Sequence, residues 1–143
     1  MPLTHKCFNG RSLLISHREN VIQDIETGDI TPSVVLITAW NAEDVSSGQR
    51  LIQKLMVKGC NYFVCAGLLA EHLHDFVDEV VEAMGSPLAD ITTTYHDDEP
   101  ADVVVNFFVN TTEISGIHGG RLVAILNKAS PEDSVITELL LKS

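Results

Sequence analysis

One short run of the sequence combines an imidazole with neighbouring carboxylates. The run is Tyr95-His96-Asp97-Asp98-Glu99. An imidazole beside a carboxylate can act as a general base, can be held in one tautomer, or can bind a divalent metal ion. The four residues that begin with His96 are therefore the candidate catalytic residues. In that role His96 is the base or ligand, and Asp97 and Glu99 orient it.

The same run has a structural explanation that is more common in proteins. An aspartate just before a helix often caps it, so Asp97 or Asp98 would cap the next helix while His96 pairs with a carboxylate. No nucleophile is evident, because the sequence lacks a G-x-S-x-G elbow and Cys65 lies inside a predicted strand with nothing to activate it. The structural explanation is therefore favoured.

Two further patterns could hold an ion, but an ordinary explanation is favoured for both. His72, Asp75 and Glu79 share one helical face, yet such faces are usually just solvated and charged. The glycine-rich residues 116–120 precede a strand and lack the lysine of a phosphate-binding loop, so a turn is favoured there. We predict no metal site and no cofactor.

Strands and helices must alternate along the chain to position these residues. Apolar runs rich in β-branched residues predict four strands, and a shorter apolar run lies at residues 13–15. The four strands are predicted at residues 34–39, 62–66, 90–95 and 121–127. Each is followed by a stretch that can form a helix.

Stretches with one apolar face predict the helices. They lie at residues 21–28, 43–58 and 69–84, and from Ser130 onward. Gly28 is expected to end the first of them in a left-handed conformation. Residues 101–110 resemble a strand in composition, but a helix preserves the alternation that parallel strands require, and we predict a helix.

This alternation predicts a single α/β domain over residues 1–143. The expected fold has three layers, with a mostly parallel sheet of four strands, a fifth left open, and helices on both faces. It would be Rossmann-like or flavodoxin-like, without a nucleotide loop. Ligands bind such sheets beyond the carboxyl ends of the strands. Residues that follow those ends are candidate ligand or partner contacts: Trp40, Asn41, Tyr95 and Lys128.

Composition and charge limit the classes of partner. Apolar residues make up 45% of the 143 residues, and the apolar runs are strand-sized, well short of a membrane span of roughly 20 residues. Residues 59–120 contain eleven acids and no Lys or Arg, whereas nucleic-acid binding needs cations to neutralise phosphates. We expect no nucleic acid and no membrane partner.

The cysteines and the first residues bear on the cellular compartment. Three cysteines without a C-x-x-C pair argue against a disulfide framework. They are expected to be reduced thiols. The first ten residues lack the apolar core of a secretion signal. A cytoplasmic location is therefore expected.

Two stretches resemble a small bacterial family of uncharacterised α/β domains. One is the Gly59-Cys60 entry to the strand at residues 62–66, and the other is the run T-T-Y-H-D-D-E-P at residues 93–100 followed by Phe107 and Phe108. Members commonly have tryptophan where this chain has Ala66 and Tyr95. The resemblance implies a helix after Pro100 and carries no assigned activity.

Two hypotheses about function follow. The favoured one is a non-enzymatic interaction or regulatory domain whose acidic half docks a basic protein, with self-association as the other partner considered. The alternative is a small enzyme or ligand-binding domain that uses the strand ends around His96, with Asn41 and Lys128 as polar contacts. Convergence of His96, Trp40 and Asn41 on an open pocket would favour the alternative.

Overall fold

The computed structural model describes residues 2–84, 91–112 and 121–143. In this part of the chain, six strands form one sheet. They are β1 (Leu3–Lys6), β2 (Ser12–His17), β3 (Val34–Thr38), β4 (Tyr62–Ala66), β5 (Thr92–His96) and β6 (Leu122–Leu126). Their order is β1-β2-β6-β3-β4-β5, and all neighbours are parallel except β1 and β2. The last strand of the chain thus lies between β2 and β3.

Helices follow the strands as the sequence predicts. In the described residues they are α1 (Val21–Thr27), α2 (Ala42–Val57), α3 (Ala70–Met84), α4 (Ala101–Asn106) and α5 (Pro131–Leu141). A π-helical turn, Phe107–Thr111, extends α4. The predicted helix at residues 101–110 is therefore confirmed.

The helices form two layers, one on each face of the sheet. Side chains of Val35 and Ile37 pack with α1, α2 and α3, whereas Val34 and Leu36 pack with α4 and α5. Successive side chains of a strand point to opposite faces, so β3 contributes to both cores. A strand covered on both faces is apolar throughout, which explains its unbroken apolar sequence. The predicted three-layer α/β class is confirmed.

The predicted strand count was too low. The sheet has six strands because β1 adds an antiparallel edge strand, whose mostly exposed residues give no apolar pattern. The short run at residues 13–15 is the buried centre of β2. These two strands complete the sheet on the side away from β5.

The predicted left-handed conformation of Gly28 was also wrong. Its φ is −83°, and the left-handed residue is the next one, Asp29, with a φ of 50°. The turn expected at residues 116–120 and the end of α3 expected at residues 85–87 lie outside the described residues.

Arg11 anchors the end of α4 that lies far from the strand carboxyl ends. Its Nη1 donates hydrogen bonds to the carbonyl oxygens of Val109 and Thr112, at 3.0 and 2.8 Å. The last carbonyl groups of a helix have no donor within the helix, and the guanidinium supplies donors to them instead. Arg11, which lies between β1 and β2, thus ties this end of the helix to the edge of the sheet.

Candidate functional site

Helices diverge at the carboxyl ends of the parallel strands. α2 follows β3 on one face of the sheet, whereas α5 follows the neighbouring β6 on the other face. α3 and α4 diverge in the same way after β4 and β5. Such divergence opens a crevice at the edge of the sheet, which is where ligands of α/β proteins bind.

α2 and α5 begin with similar sequences. These are Asn41-Ala42-Glu43-Asp44 and Ser130-Pro131-Glu132-Asp133. Oδ1 of Asn41 accepts a hydrogen bond from the Asp44 N–H at 2.9 Å, and Oγ of Ser130 accepts one from the Asp133 N–H at 3.2 Å. Each cap places an aspartate in the first turn, where the helix dipole stabilises negative charge.

Asp133 connects β3, β6 and α5. Its carboxylate accepts hydrogen bonds from Thr38 Oγ1 at 2.7 Å, Trp40 Nε1 at 2.8 Å and the Asn127 N–H at 2.6 Å. Asp133 is only 1% exposed. A buried carboxylate is stable only when donors replace its lost water, and three donors do so here.

Asp44 makes the corresponding connection on the other face of the sheet. It accepts hydrogen bonds from the Trp40 N–H at 2.9 Å and from Asn127 Nδ2 at 3.2 Å. Arg18 Nε lies 3.7 Å from its Oδ1. Burial lowers the pKa of Arg18, and the nearby carboxylate of Asp44 opposes that shift. Asp44 and Asp133 thus form a buried polar network through Trp40 and Asn127.

His96 ends β5, and both of its ring nitrogens are engaged. Nδ1 donates to Glu99 Oε2 at 2.6 Å, and Nε2 lies 3.0 Å from Thr94 Oγ1. The ring also contacts Phe107, with centroids 4.6 Å apart. The side chain of His96 is 8% exposed and that of Glu99 is 43% exposed. Glu99 therefore links a buried imidazole to solvent.

The hydroxyl, imidazole and carboxylate are arranged in series. Thr94 and His96 are alternate residues of β5, so their side chains share one face of the sheet. A carboxylate only accepts hydrogen bonds, so Nδ1 of His96 carries the hydrogen and Nε2 can accept one from Thr94. This order is that of a nucleophile, a base and an orienting acid. It also fixes the tautomer and the orientation of the ring.

A cavity of about 250 Å³ brings the imidazole together with distant parts of the chain. Among the polar and aromatic residues that line it are Trp40, His96, Asp97, Glu99 and Glu132. They come from the ends of β3 and β5 and from the start of α5. The three carboxylate residues are exposed and form the rim, whereas His96 is buried.

The interior of the cavity is apolar and buried. Ala66 ends β4, Val104 lies on α4 and Ile136 lies on α5, and all three are at most 3% exposed. Apolar walls with a few polar groups at the opening are typical of small-molecule sites.

Gly67 allows the loop after β4 to approach the end of β3. Its φ is +101°, and a Cβ placed there would lie 2.6 Å from the carbonyl oxygen of Ala39. That oxygen accepts a hydrogen bond from the Leu69 N–H at 3.0 Å. Gly67 also lines the cavity, so the glycine shapes its wall.

Four of the residues predicted from sequence lie on this cavity. Trp40, His96, Asp97 and Glu99 line it. The pairing of His96 with a carboxylate is confirmed. A cap by Asp97 or Asp98 is not found, because Pro100 occupies the N-cap position of α4 without a side-chain hydrogen bond.

The other predicted contacts lie elsewhere. Asn41 is exposed and caps α2, and Asp98 is exposed and does not line the cavity. Tyr95 points to the opposite face of β5 from His96, where its ring lies 4.9 Å from that of His74. Lys128 lines a second cavity, of about 340 Å³, which also includes Asp133.

Sequence reasoning missed Glu132, Thr94 and the two buried aspartates as parts of this region. Glu132 could have been found from the capping sequence Ser130-Pro131-Glu132-Asp133, because this sequence begins a helix shortly after a strand end. Thr94 could have been found from the alternation of β5, since it lies two residues before His96. The convergence of α5 on β3 depends on strand order, which local patterns do not give.

Cysteine and metal chemistry are not apparent at the site. Cys7, Cys60 and Cys65 are free and buried. Burial raises the pKa of Cys60 and of Cys65 to about 12, so both thiols stay protonated at neutral pH. Within residues 2–84, 91–112 and 121–143, no three His, Cys, Asp or Glu residues are grouped so that they could hold a metal ion. No helix in the described ranges has the length and apolar character needed to cross a membrane.

Comparison with known proteins gives a family but no activity. A search of curated proteins found no match to the chain. Residues 16–143 match the family described as Domain of unknown function (DUF7684). The match includes β3 to β6 and the five helices of the described residues, and therefore every residue that lines the cavity. This chain belongs to that family of uncharacterised domains.

Proposed function

We propose that this chain is a small-molecule-binding domain whose site is the cavity between Trp40 and His96. One observation carries the proposal: Trp40, His96 and Glu132, which are far apart in the sequence, line a single cavity. The cavity has an apolar interior and an exposed polar rim. It lies at the carboxyl edge of the sheet, where a ligand site is expected in this fold class.

Binding without covalent catalysis is favoured by the lining of the cavity. The described residues that line it include no Ser, Thr, Cys or Lys. Thr94 approaches Nε2 of His96 but does not line the cavity, so it does not face a ligand there. His96 and Glu99 are therefore proposed to form part of the wall of a binding site, and the exposed carboxylates of the rim are the polar groups that a ligand meets.

A fragment screen by NMR tests this function. Fragments that bind are expected to shift the indole N–H resonance of Trp40, which is assigned from the spectrum of the unaltered chain, where it is the only tryptophan. The blocking variant is Val135→Trp, because Val135 lines the cavity and is 49% exposed, so that a larger side chain can enter without disturbing the core. Val103→Trp is the matched control, since Val103 is 44% exposed and does not line the cavity.

The two variants give opposite expectations. Val135→Trp should weaken fragment binding about tenfold or more, whereas Val103→Trp should leave it within about twofold. Failure of every fragment to perturb Trp40 would refute the proposal. Equal binding to both variants would show that the fragments bind elsewhere.

A second candidate function is the docking of a basic protein to α3. Five carboxylates on this helix are exposed: Glu71, Asp75, Asp78, Glu79 and Glu82. In the described residues no Lys or Arg pairs with any of them, and only His74 contacts one, at 3.4 Å from Asp78. An unneutralised surface of this kind attracts basic partners.

The proposed location is the cytoplasm, where the three free thiols would stay reduced.

Charge reversal tests the second candidate. Asp75→Lys with Glu79→Lys should abolish capture of a basic partner in low salt, and capture by the unaltered chain should weaken steeply as salt rises. Glu26→Lys with Glu43→Lys is the control, because these acids lie on α1 and α2. Loss of capture in both double variants would reveal an effect of net charge alone.

A further inference from the structure

The cavity is negatively charged at its rim and apolar inside. Its rim carries three carboxylates, and the described residues that line it include neither Lys nor Arg. The one basic group in the lining, the imidazole of His96, already donates to Glu99 at 2.6 Å. A ligand that enters therefore meets an excess of negative charge.

The three carboxylates differ in how far the protein already satisfies them. Glu99 accepts from His96 at 2.6 Å, and Glu132 accepts from Ser130 Oγ at 2.9 Å. Asp97 has no hydrogen bond or ion pair with any residue in the described ranges, and it is exposed. Asp97 is thus the carboxylate with the most capacity left for a cationic ligand.

Trp40 adds an aromatic ring to this acidic rim. Its Nε1–H is taken by Asp133 at 2.8 Å, so the indole offers a ligand only its ring atoms. The hydrogen bond fixes the ring without using its π-face. An indole ring attracts an ammonium group through its quadrupole, and carboxylates nearby strengthen the attraction. The ring and the carboxylates thus favour the same sign of ligand charge.

We infer that the ligand is a small organic cation, an ammonium group on an apolar body. This inference rests on the proposed function, because it assigns a chemical class to the ligand of the same cavity. The ammonium group lies at the rim, near Asp97, Glu132 and the ring of Trp40. The apolar body lies inside, against Val104 and Ile136. The volume of about 250 Å³ limits the body to roughly a single ring or a short chain.

Anions and neutral isosteres should bind less well. A carboxylate or phosphate group at the rim would face three negative charges with no Lys or Arg in the lining. A neutral isostere keeps the apolar contacts but loses the attraction to the carboxylates and to the indole. Charge, at constant shape, is therefore the property to vary.

Three probes of similar size, each with one phenyl ring, provide the test. They are benzylamine, which is protonated at neutral pH, benzyl alcohol and benzoate. Titration into ¹⁵N-labelled protein should shift the Trp40 indole resonance, with Kd lowest for benzylamine, about tenfold higher for benzyl alcohol and higher still for benzoate. The affinity for benzylamine should fall as sodium chloride is added.

Variants of the rim assign the effect to named carboxylates. Asp97→Asn with Glu132→Gln should raise the Kd of benzylamine about tenfold and leave that of benzyl alcohol within about twofold. Asp98→Asn is the matched control, since Asp98 adjoins Asp97 and is exposed but does not line the cavity. It should leave both values unchanged.

The possible failures are distinguishable. If benzyl alcohol or benzoate binds the cavity as tightly as benzylamine, the ligand is not a cation, and the cavity remains a binding site. If the double variant does not weaken benzylamine, the rim carboxylates do not recognise it. If fragments of every charge fail to perturb Trp40, the proposed function falls together with this inference.

Discussion

Two groups of carboxylates lie at the same edge of the sheet and differ in their exposure and in the hydrogen bonds that they accept. Asp133 is 1% exposed and accepts three hydrogen bonds from within the protein. Asp97 is exposed, has no partner in the described residues and lines a cavity. Trp40 lies between the two groups, because it donates a hydrogen bond to Asp133 and also lines the cavity.

This contrast separates the polar groups that hold the fold together from those that remain available to a ligand. A buried carboxylate with all of its donors inside the protein can be removed only at a large cost in stability, and it has little capacity left for a ligand. An exposed carboxylate that faces empty volume contributes little to stability and keeps its capacity. Substitutions at the two groups should therefore affect different measurements.

Substitution of Asp133 should reduce stability more than any other change considered. Asp133→Ala leaves the donors of Thr38, Trp40 and Asn127 without an acceptor in a buried place. We expect the free energy of unfolding to fall by about 3 to 5 kcal/mol. Glu99→Ala should cost less than about 1 kcal/mol, because that side chain is 43% exposed. Urea unfolding followed by circular dichroism measures both, and equal losses would remove the distinction between the two groups.

The next effect tests the close packing of backbone beside the cavity. Gly67→Ala combines an unfavourable positive φ with a Cβ 2.6 Å from the Ala39 carbonyl oxygen, so we expect a loss of at least about 3 kcal/mol. Gly59→Ala has a similar φ of +96° but no atom closer than 4.0 Å, so it should cost about 1 to 2 kcal/mol. Equal losses in urea unfolding would show that φ alone matters.

Trp40 can be altered so that only one of its two roles is lost. Trp40→Phe removes the Nε1–H donor to Asp133 and keeps an aromatic ring in the cavity wall. Stability should fall by about 2 kcal/mol, as for other hydrogen bonds to charged groups. Thr38→Val removes another donor to the same carboxylate and does not line the cavity. Both variants should lose similar stability by circular dichroism, while the Kd of benzylamine stays within about threefold in Thr38→Val.

The sequence predicted the fold class better than the composition of the site. Unbroken apolar runs such as β3 and amphipathic helices such as α2 are local signals, and both were found at nearly their observed bounds. β1 was missed because an exposed edge strand of four residues has no such signal. Trp40 and His96 were predicted correctly as strand-end residues, since parallel strands end at one edge whatever their order.

The site residues were predicted from their positions at strand ends alone, without the face of the sheet on which each side chain lies. Tyr95 adjoins His96 in sequence, yet adjacent strand residues point to opposite faces, and Tyr95 contacts α3 instead of the cavity. Lys128 follows β6 at the correct edge but lies in the second cavity. Glu132 enters the first cavity because β6 is inserted beside β3, an order that only the assembled sheet reveals.

Substitution of Tyr95 or Lys128 should have little effect, and the result shows where the site ends. Tyr95→Phe and Lys128→Ala should each change stability by less than about 0.5 kcal/mol, because both side chains are exposed and neither belongs to the buried network. Both should also leave the Kd of benzylamine within about twofold, as measured by the shift of the Trp40 indole resonance. Asp97→Asn is similarly harmless to stability but should weaken benzylamine about threefold. A comparable weakening by Lys128→Ala would mean that the two cavities are coupled. Trp40 lines the first cavity and Asp133 lines the second, and a hydrogen bond joins these two side chains.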